Sequence, residues 1–367
     1  MTNESLIRAV QDVSLSGMTK FQTRILTAAV RAPSGDNCQP WRFQFDRDDS
    51  VRTTPDLERA KSFFDYKNRA TALSIGASIE NMRVQAASEG LATETVYADD
   101  DEKHFSATLL FSRDEGARAS QAPVAALFQR TVNRRPFLPT AIASSIWARL
   151  LQEPVDGVGV HLIADRRRIS EWADVIEIAD RIRYSHPVIH EELFSKLLVN
   201  SKMVEDVRMG LEIDRLGVGP FGGMLLRWLR PWQRVQRFSR WGLIRVLAHQ
   251  SGLLARSTGA LVLVTIERAA SQDWMRAGEQ VQRLWIRAQE QSLQTHPMPV
   301  ALYLDQRYQE EGLKEFLPSH YPLLEDLKSR LADLIPAGFG AMLFRIGRGW
   351  PMRGQSVRLP LERFIQS

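Results

Sequence analysis

The residues best suited to hold a small molecule stand together in Pro33-Ser34-Gly35-Asp36-Asn37-Cys38-Gln39-Pro40-Trp41. Two prolines fix two φ angles and remove two backbone donors, and Gly35 admits conformations that side-chained residues resist, so the loop is expected to be stiff. Between the prolines, Ser34, Asp36, Asn37 and Gln39 offer donors and acceptors to a flat polar ligand. An ordinary helix-to-strand turn would use the same residue types. Cys38 is the single cysteine of the chain. With no internal disulfide partner and no assigned base, it is read as a small buried residue rather than a nucleophile. Trp41 is expected to pack.

A second concentration of chemistry is Gln129-Arg130-Thr131-Val132-Asn133-Arg134-Arg135-Pro136-Phe137. Guanidinium groups this close in sequence can bind a phosphate through paired, charge-assisted hydrogen bonds. They would equally suit a solvated basic turn. The histidines offer less: His186, His190 and His296 have no second His or Cys at metal-ligand spacing, so no metal site is expected. No Ser/His/Asp set stands out, and the Gly217 to Gly223 run is broken by Pro220.

The elements that must present these clusters carry signs of a repeat. Gly76 to Ala86 aligns without gaps on Gly278 to Ala288, pairing Ile79 with Val281, Met82 with Leu284 and Val84 with Ile286. This spacing is helical. Strand-like runs follow each helix, at Thr93 to Tyr97 and His104 to Phe111 after the first, and at Val300 to Leu304 and Gly340 to Ile346 after the second. Ser112 to Pro123, rich in Ala, Ser, Gly and charge, reads as a linker and divides the chain into residues 1–120 and 121–367. The composition, 44% hydrophobic and 25% charged, is that of a globular protein. A net charge of +5 favours anionic ligands weakly and does not indicate nucleic acid. Met1 to Gly17 mixes charged with apolar residues and lacks a signal-peptide core, and no stretch approaches the roughly 20 apolar residues of a membrane span. A lone cysteine agrees with a reducing compartment. A cytoplasmic protein is expected.

The 33–41 loop resembles the Pro-Ser-x-x-Asn-x-Gln-Pro-Trp segment of the FMN-dependent nitroreductase family, which lies against the flavin ring. The resemblance implies that Pro33, Ser34, Asn37 and Gln39 approach the ring. Arg130 to Phe137 is similar to the family's Arg-rich opening segment, which holds the FMN phosphate; this implies phosphate contacts from Arg130, Thr131 and Arg134. Val132 stands where the family has a hydroxyl, and Thr131 lies one position early. Ser356 to Glu362 resembles the family's closing Arg-x-Pro, which implies that Arg358 joins the phosphate site, with Arg345 and Arg348 as weaker candidates or ordinary surface charges. Met298, with His296, lies where the family chain passes the flavin.

The loop occurs only in the first half and the arginines only in the second. The chain therefore resembles the tandem, single-chain (Acg-like) branch of the family. This implies an α+β, nitroreductase-like fold of two fused halves forming an intramolecular pseudo-dimer, with mixed β-sheets flanked by helices and one flavin per chain. The implied activity is an FMN-dependent oxidoreductase, passing electrons from NAD(P)H or another donor to a small organic acceptor. The flavin carries the chemistry, so no catalytic side chain is assigned. Flavin storage in an occluded site, or a specialised desaturase acting on a biosynthetic intermediate, are the alternatives. A monomeric pseudo-dimer or weak homo-oligomer is expected.

Residues 185–250 lie outside the resemblance. Within them, 219–248 holds six arginines, three tryptophans and no acid. Three uses fit: a cover over the flavin, as the branch's insertion implies; packing against the domain; or contact with a membrane surface or single-stranded nucleic acid. The insertion is read as a possible lid, with neither nucleic acid nor a membrane expected as partner.

Overall fold

The computed structural model describes residues 17–47, 49–99, 101–113, 120–352 and 354–366. The segment read for an export signal, up to residue 16, and half of the linker, 114–119, lie outside the described residues.

Strands β1 (Trp41–Arg47), β2 (Ser50–Pro55), β3 (Leu91–Asp99) and β4 (Phe105–Arg113) form one sheet in the order β1-β2-β4-β3. Strands β5 (Val158–Ile163), β8 (Ala260–Ile266), β9 (Gln294–Pro297) and β10 (Phe339–Gly347) form a second, ordered β5-β8-β10-β9. Both are antiparallel throughout, which corrects the expectation of mixed sheets. Among the described residues, parallel pairing is confined to the two-residue strands β6 (Leu197–Leu198) and β7 (Leu211–Glu212) and to a bridge between Phe43 and Ile365. Strand β8 reads Ala-Leu-Val-Leu-Val-Thr-Ile and is buried along its whole length, as a central strand covered on both faces must be. The run Val300 to Leu304 opens a helix, Val300–Glu311, rather than a strand. Pro299 caps that helix, and a short apolar run does not distinguish the two periods.

Helices Arg69–Ser88 and Ser271–Glu290 pack together between the sheets' strands, the second starting and ending 202 residues after the first. Their contacts are reciprocal. A methyl group added at Gly76 would collide with the Met275 carbonyl, and one at Gly278 with the Leu73 carbonyl. Gln282 donates to Asn81 (2.6 Å), and the counterpart pair, Arg283 and Glu80, forms a two-pronged salt bridge at 2.8 and 2.9 Å. Contacts in which i meets j and the equivalent of j meets the equivalent of i are the pattern of a two-fold interface.

One hydrophobic core spans both sheets, running from Ile25 through Ala107 to Val262 and Phe364. The C-terminal segment crosses back to the first sheet: Phe43 donates to the Phe364 carbonyl (2.7 Å), Gln366 to the Phe43 carbonyl (2.8 Å), and the Phe364 ring packs near Trp41 and Phe43. Trp41 is fully buried there, as expected.

Behind the segment that leads to Phe64, His186 and His320 stack with ring centroids 5.5 Å apart. Burial, then the neighbouring imidazole, pushes His320 down to about 4. An unfolded histidine titrates near 6.5, so this stabilisation is complete above that pH and is lost as the pH falls toward 4. The stability lost across this window should amount to on the order of 3 kcal/mol, and urea unfolding of His320→Gln should show that dependence removed.

Candidate functional site

The Lys20–Ala29 helix delivers the 33–41 loop. A capping box starts it: Gln22 N–H donates to Thr19 Oγ1 (3.2 Å) and Thr19 N–H to Gln22 Oε1 (2.9 Å). Three residues just after Pro33 have left-handed backbones, Asp36 (φ 48°), Asn37 (φ 57°) and Gln39 (φ 53°). Such conformations are costly for side-chained residues and persist where surrounding contacts impose them. Gly35 is not among them, so the strain falls on its neighbours rather than on the glycine expected to take it. The imposing contacts are visible: Ser34 Oγ accepts from Gln39 N–H (3.0 Å), and Asn37 Nδ2 donates to the Val357 carbonyl (3.1 Å).

The loop borders a cavity of about 320 Å³. Pro33, Ser34, Asn37, Arg130, Thr131, Arg134 and Arg358 all line it, so the structure brings together seven of the nine residues singled out from the sequence. Val132 lines it beside Thr131. Gln39 and Met298 do not. Gln39 is fully buried beneath the loop, donating to the Asn37 carbonyl (3.3 Å) and the Arg208 carbonyl (2.8 Å) and accepting from Leu359 N–H (3.0 Å). It ties loop, insertion and C-terminal segment together. Met298 packs in a separate hydrophobic cluster with Leu302 and Leu343, while His296, which was paired with it, does line the cavity.

Among the described residues, seven cationic side chains line the cavity (Arg31, Arg130, Arg134, Arg183, Lys196, Arg215, Arg358) against three carboxylates (Asp36, Asp65, Glu212). Lys196 pairs with Asp36 (3.2 Å), Arg215 with Glu212 (2.7 Å), and Arg183 with Asp180 (3.6 Å). Arg31, Arg130, Arg134 and Arg358 have no carboxylate within ion-pair distance among the described residues. Burial, then repulsion from Arg31, pushes Arg130 down to about 9; burial, then Arg183, pushes Arg134 to about 10. Arg358 falls well below the usual range through burial and then the charges of Arg130 and Arg31. A guanidinium keeps its proton at neutral pH, so the cluster carries its repulsion and desolvation as a cost that a bound anion would offset.

The four arginines differ in their freedom to bind. Arg358 is committed to the protein: Nε donates to the Val30 carbonyl (2.6 Å), one terminal nitrogen to Asn37 Oδ1 (2.8 Å) and the other to the Ala32 carbonyl (3.0 Å). It closes the open end of the Lys20–Ala29 helix and holds the loop, which makes it a positioning residue. Arg130 lies over the Trp285 ring (4.3 Å to the centroid) and donates to the Arg31 carbonyl (2.8 Å), but its buried Nε has no partner. Arg134 donates only to the Arg215 carbonyl (3.2 Å) among the described residues. Arg130, Arg134 and Arg31 are thus the arginines free to hold a phosphate or carboxylate.

Arg345, read as a weaker phosphate candidate or a surface charge, is neither. It is fully buried, lies over the Phe137 ring (4.0 Å), and donates to the Arg135 carbonyl (2.6 Å), the Leu254 carbonyl (2.9 Å) and His296 Nδ1 (3.1 Å). It fixes the backbone that presents Arg134.

Elsewhere in the cavity wall the chemistry changes. Asp65 accepts from Thr71 N–H (3.1 Å) and Oγ1 (2.5 Å), and burial pushes its carboxyl up to about 6. Tyr303, raised by burial and then by Asp65, and the apolar Leu73, Val281, Trp285 and Val300 also line the cavity. A carboxyl titrating near neutrality can give or take a proton at working pH.

Burial, then the charges of Asp65 and Asp36, pushes the Cys38 thiol up to about 12. The thiolate nucleophile is therefore absent at neutral pH. Cys38 should resist a thiol reagent at pH 8 in the folded protein and react fully once unfolded, and Cys38→Ser should bind ligand as the parent does.

Sequence reasoning missed Arg31, Asp65, Lys196 and Arg215. Arg31 adjoins the loop and was within reach; the others enter the site only through the fold. The insertion does contribute a wall, from Lys196 to Leu216, latched by Lys196 to Asp36 and by Val357 N–H to Glu212 (3.2 Å). Residues 219–248, read as the cover, are absent from the lining and form helices around a small core of Leu229, Val235 and Ile244. His186 and His190 bond backbone carbonyls, and among the described residues no group of three or more His, Cys, Asp or Glu could hold a metal.

No family model matches the chain. It is 28% identical over 322 residues to "Uncharacterized protein MT1398" of Mycobacterium tuberculosis, covering 86% of this chain and 43% of that protein. It is 27% identical over 183 residues to "Putative NAD(P)H nitroreductase acg" of the same organism, covering 48% of this chain and 55% of that protein, in each of two strains. The chain thus spans about half the length of the curated relatives it matches, and its similarity to a protein named as a nitroreductase is distant.

Proposed function

We propose that this chain is an FMN-dependent oxidoreductase that takes electrons from NAD(P)H and passes them to a small organic acceptor. The observation that carries this reading is the convergence on one cavity of the strained 33–38 loop with three arginines that lack a carboxylate partner among the described residues. The distant similarity to a protein named as an NAD(P)H nitroreductase supports the choice of redox chemistry.

The residues fit the group. Arg130, Arg134 and Arg31 would take the phosphate, with Thr131 beside them, and the orphaned Nε of Arg130 would gain its acceptor. Ser34, Asn37 and the loop backbone would face the ring, held there by Arg358 and Gln39. Bound flavin supplies hydride acceptance and release. The chain's own part is to position, to limit water and to supply Asp65, whose carboxyl can hold a proton near pH 6 for an acceptor being reduced.

The arrangement is that of a fused pseudo-dimer with one composite site. The reciprocal crossing at Gly76 and Gly278, and the supply of the loop with Arg31 from one side of residue 120 and of Arg130 and Arg134 from the other, support it. A second reading, flavin storage in an occluded site, draws on the 196–216 wall and its latches to Asp36 and Gln39. Anaerobic addition of NADPH or NADH to the FMN-loaded protein separates the two. Bleaching near 450 nm, roughly the flavin band, is expected for the oxidoreductase. Bleaching by dithionite alone would move the assignment to storage.

A further inference from the structure

The helix Gly219–Leu229 faces its apolar stripe outward. Phe221, Met224, Leu225 and Trp228, at positions i, i+3, i+4 and i+7, are 83%, 60%, 39% and 40% exposed, while the opposite side buries Gly223 and Leu229. The stripe continues through aromatic contacts: Trp228 meets Phe238 edge-on (5.0 Å between centroids) and Phe238 meets Trp241 (5.4 Å), itself 77% exposed. Around this ridge stand Arg227, Arg230, Arg234, Arg237, Arg240 and Arg245, all exposed. None forms an ion pair among the described residues, and 219–248 contains no acid. Water penalises such a ridge, and the uncompensated cations repel one another.

We infer that this face docks on the surface of an anionic lipid bilayer. Both components fit one occupant: aromatic and aliphatic side chains enter the headgroup–acyl boundary, while arginine stems run along the apolar surface and carry their charges to lipid phosphates. Single-stranded nucleic acid would use the arginines and the tryptophans but leave Met224 and Leu225 facing water. A protein partner with a purely apolar groove would leave six cations without counter-charges. No described helix is long and apolar enough to cross a membrane, so the contact is one of lying on the surface. The ridge is outside the cavity lining, and the inference stands apart from the flavin reading.

The test is flotation of the full chain with phosphatidylcholine vesicles and with phosphatidylcholine/phosphatidylglycerol vesicles, read together with tryptophan emission. Binding confined largely to the phosphatidylglycerol vesicles, with a blue shift, is expected. The exposed double substitution Phe221→Ser/Trp241→Ser, and separately Arg237→Gln/Arg240→Gln, should each weaken binding by at least about tenfold with unchanged thermal unfolding. No flotation with phosphatidylglycerol would overturn the inference. So would flotation indifferent to Phe221→Ser/Trp241→Ser, which would mean adsorption by net charge alone, or a soluble dimer that this substitution dissociates, which would assign the ridge to a second copy.

Discussion

Replacing Arg130 by methionine should stabilise the protein without ligand and weaken its hold on FMN. The side chain is buried, repelled by Arg31, and leaves Nε unpartnered. Exchanging such a cation for an apolar group of similar volume removes a desolvated charge, a change that should add about 1 to 3 kcal/mol to the ligand-free protein, less the lost contacts to Trp285 and the Arg31 carbonyl. In the proposed FMN complex, the same exchange would delete a charge-assisted hydrogen bond to phosphate, a loss of about 1.5 to 3 kcal/mol, or roughly 10- to 150-fold in affinity. Thermal unfolding with and without FMN reads both signs at once. A parallel fall in stability and affinity would mean that Arg130 is a packing residue; unchanged affinity would remove it from the phosphate site.

The second large effect falls far from any charge. Gly76→Ala places a methyl group on the Met275 carbonyl, and Gly278→Ala places one on the Leu73 carbonyl. Backbone meets backbone there, so no flexible side chain can swing aside, and the two long helices must separate. Each substitution should cost more than about 3 kcal/mol. On the proposed FMN site, variants that still fold should lose FMN as well, because both helices line the cavity, through Leu73 and Ser74 of one and Val281 and Trp285 of the other. Gly35→Ala is the control: a methyl there meets nothing within 4 Å, and the backbone is not left-handed, so urea unfolding should find it close to the parent.

What the sequence revealed follows from where its information is local. The 33–41 loop, the Arg130 cluster and the paired helices were legible because residue type and spacing within a dozen positions carry their chemistry. The cavity gathers Pro33, Ser34 and Asn37 of the loop with Arg130, Thr131 and Arg134 of the cluster. Gln39 was misread because a buried amide that bonds Arg208 and Leu359 has the same local signature as one that faces a ligand. Arg358 and Arg345 were read by charge, whereas their acceptors are carbonyls distant in sequence. The 219–248 segment announced its amphipathicity but not its direction, since period alone cannot say which face of a helix finds a partner. Asp65 carried no signal, its raised carboxyl being a product of burial.

The most direct test of the account is the number of FMN molecules bound per chain, titrated at equilibrium and checked by release on denaturation. One tightly bound FMN per chain, lost in Arg130→Met/Arg134→Met, is the predicted result. Two per chain would contradict the single composite site, and none in the correctly folded protein would contradict the flavin assignment itself.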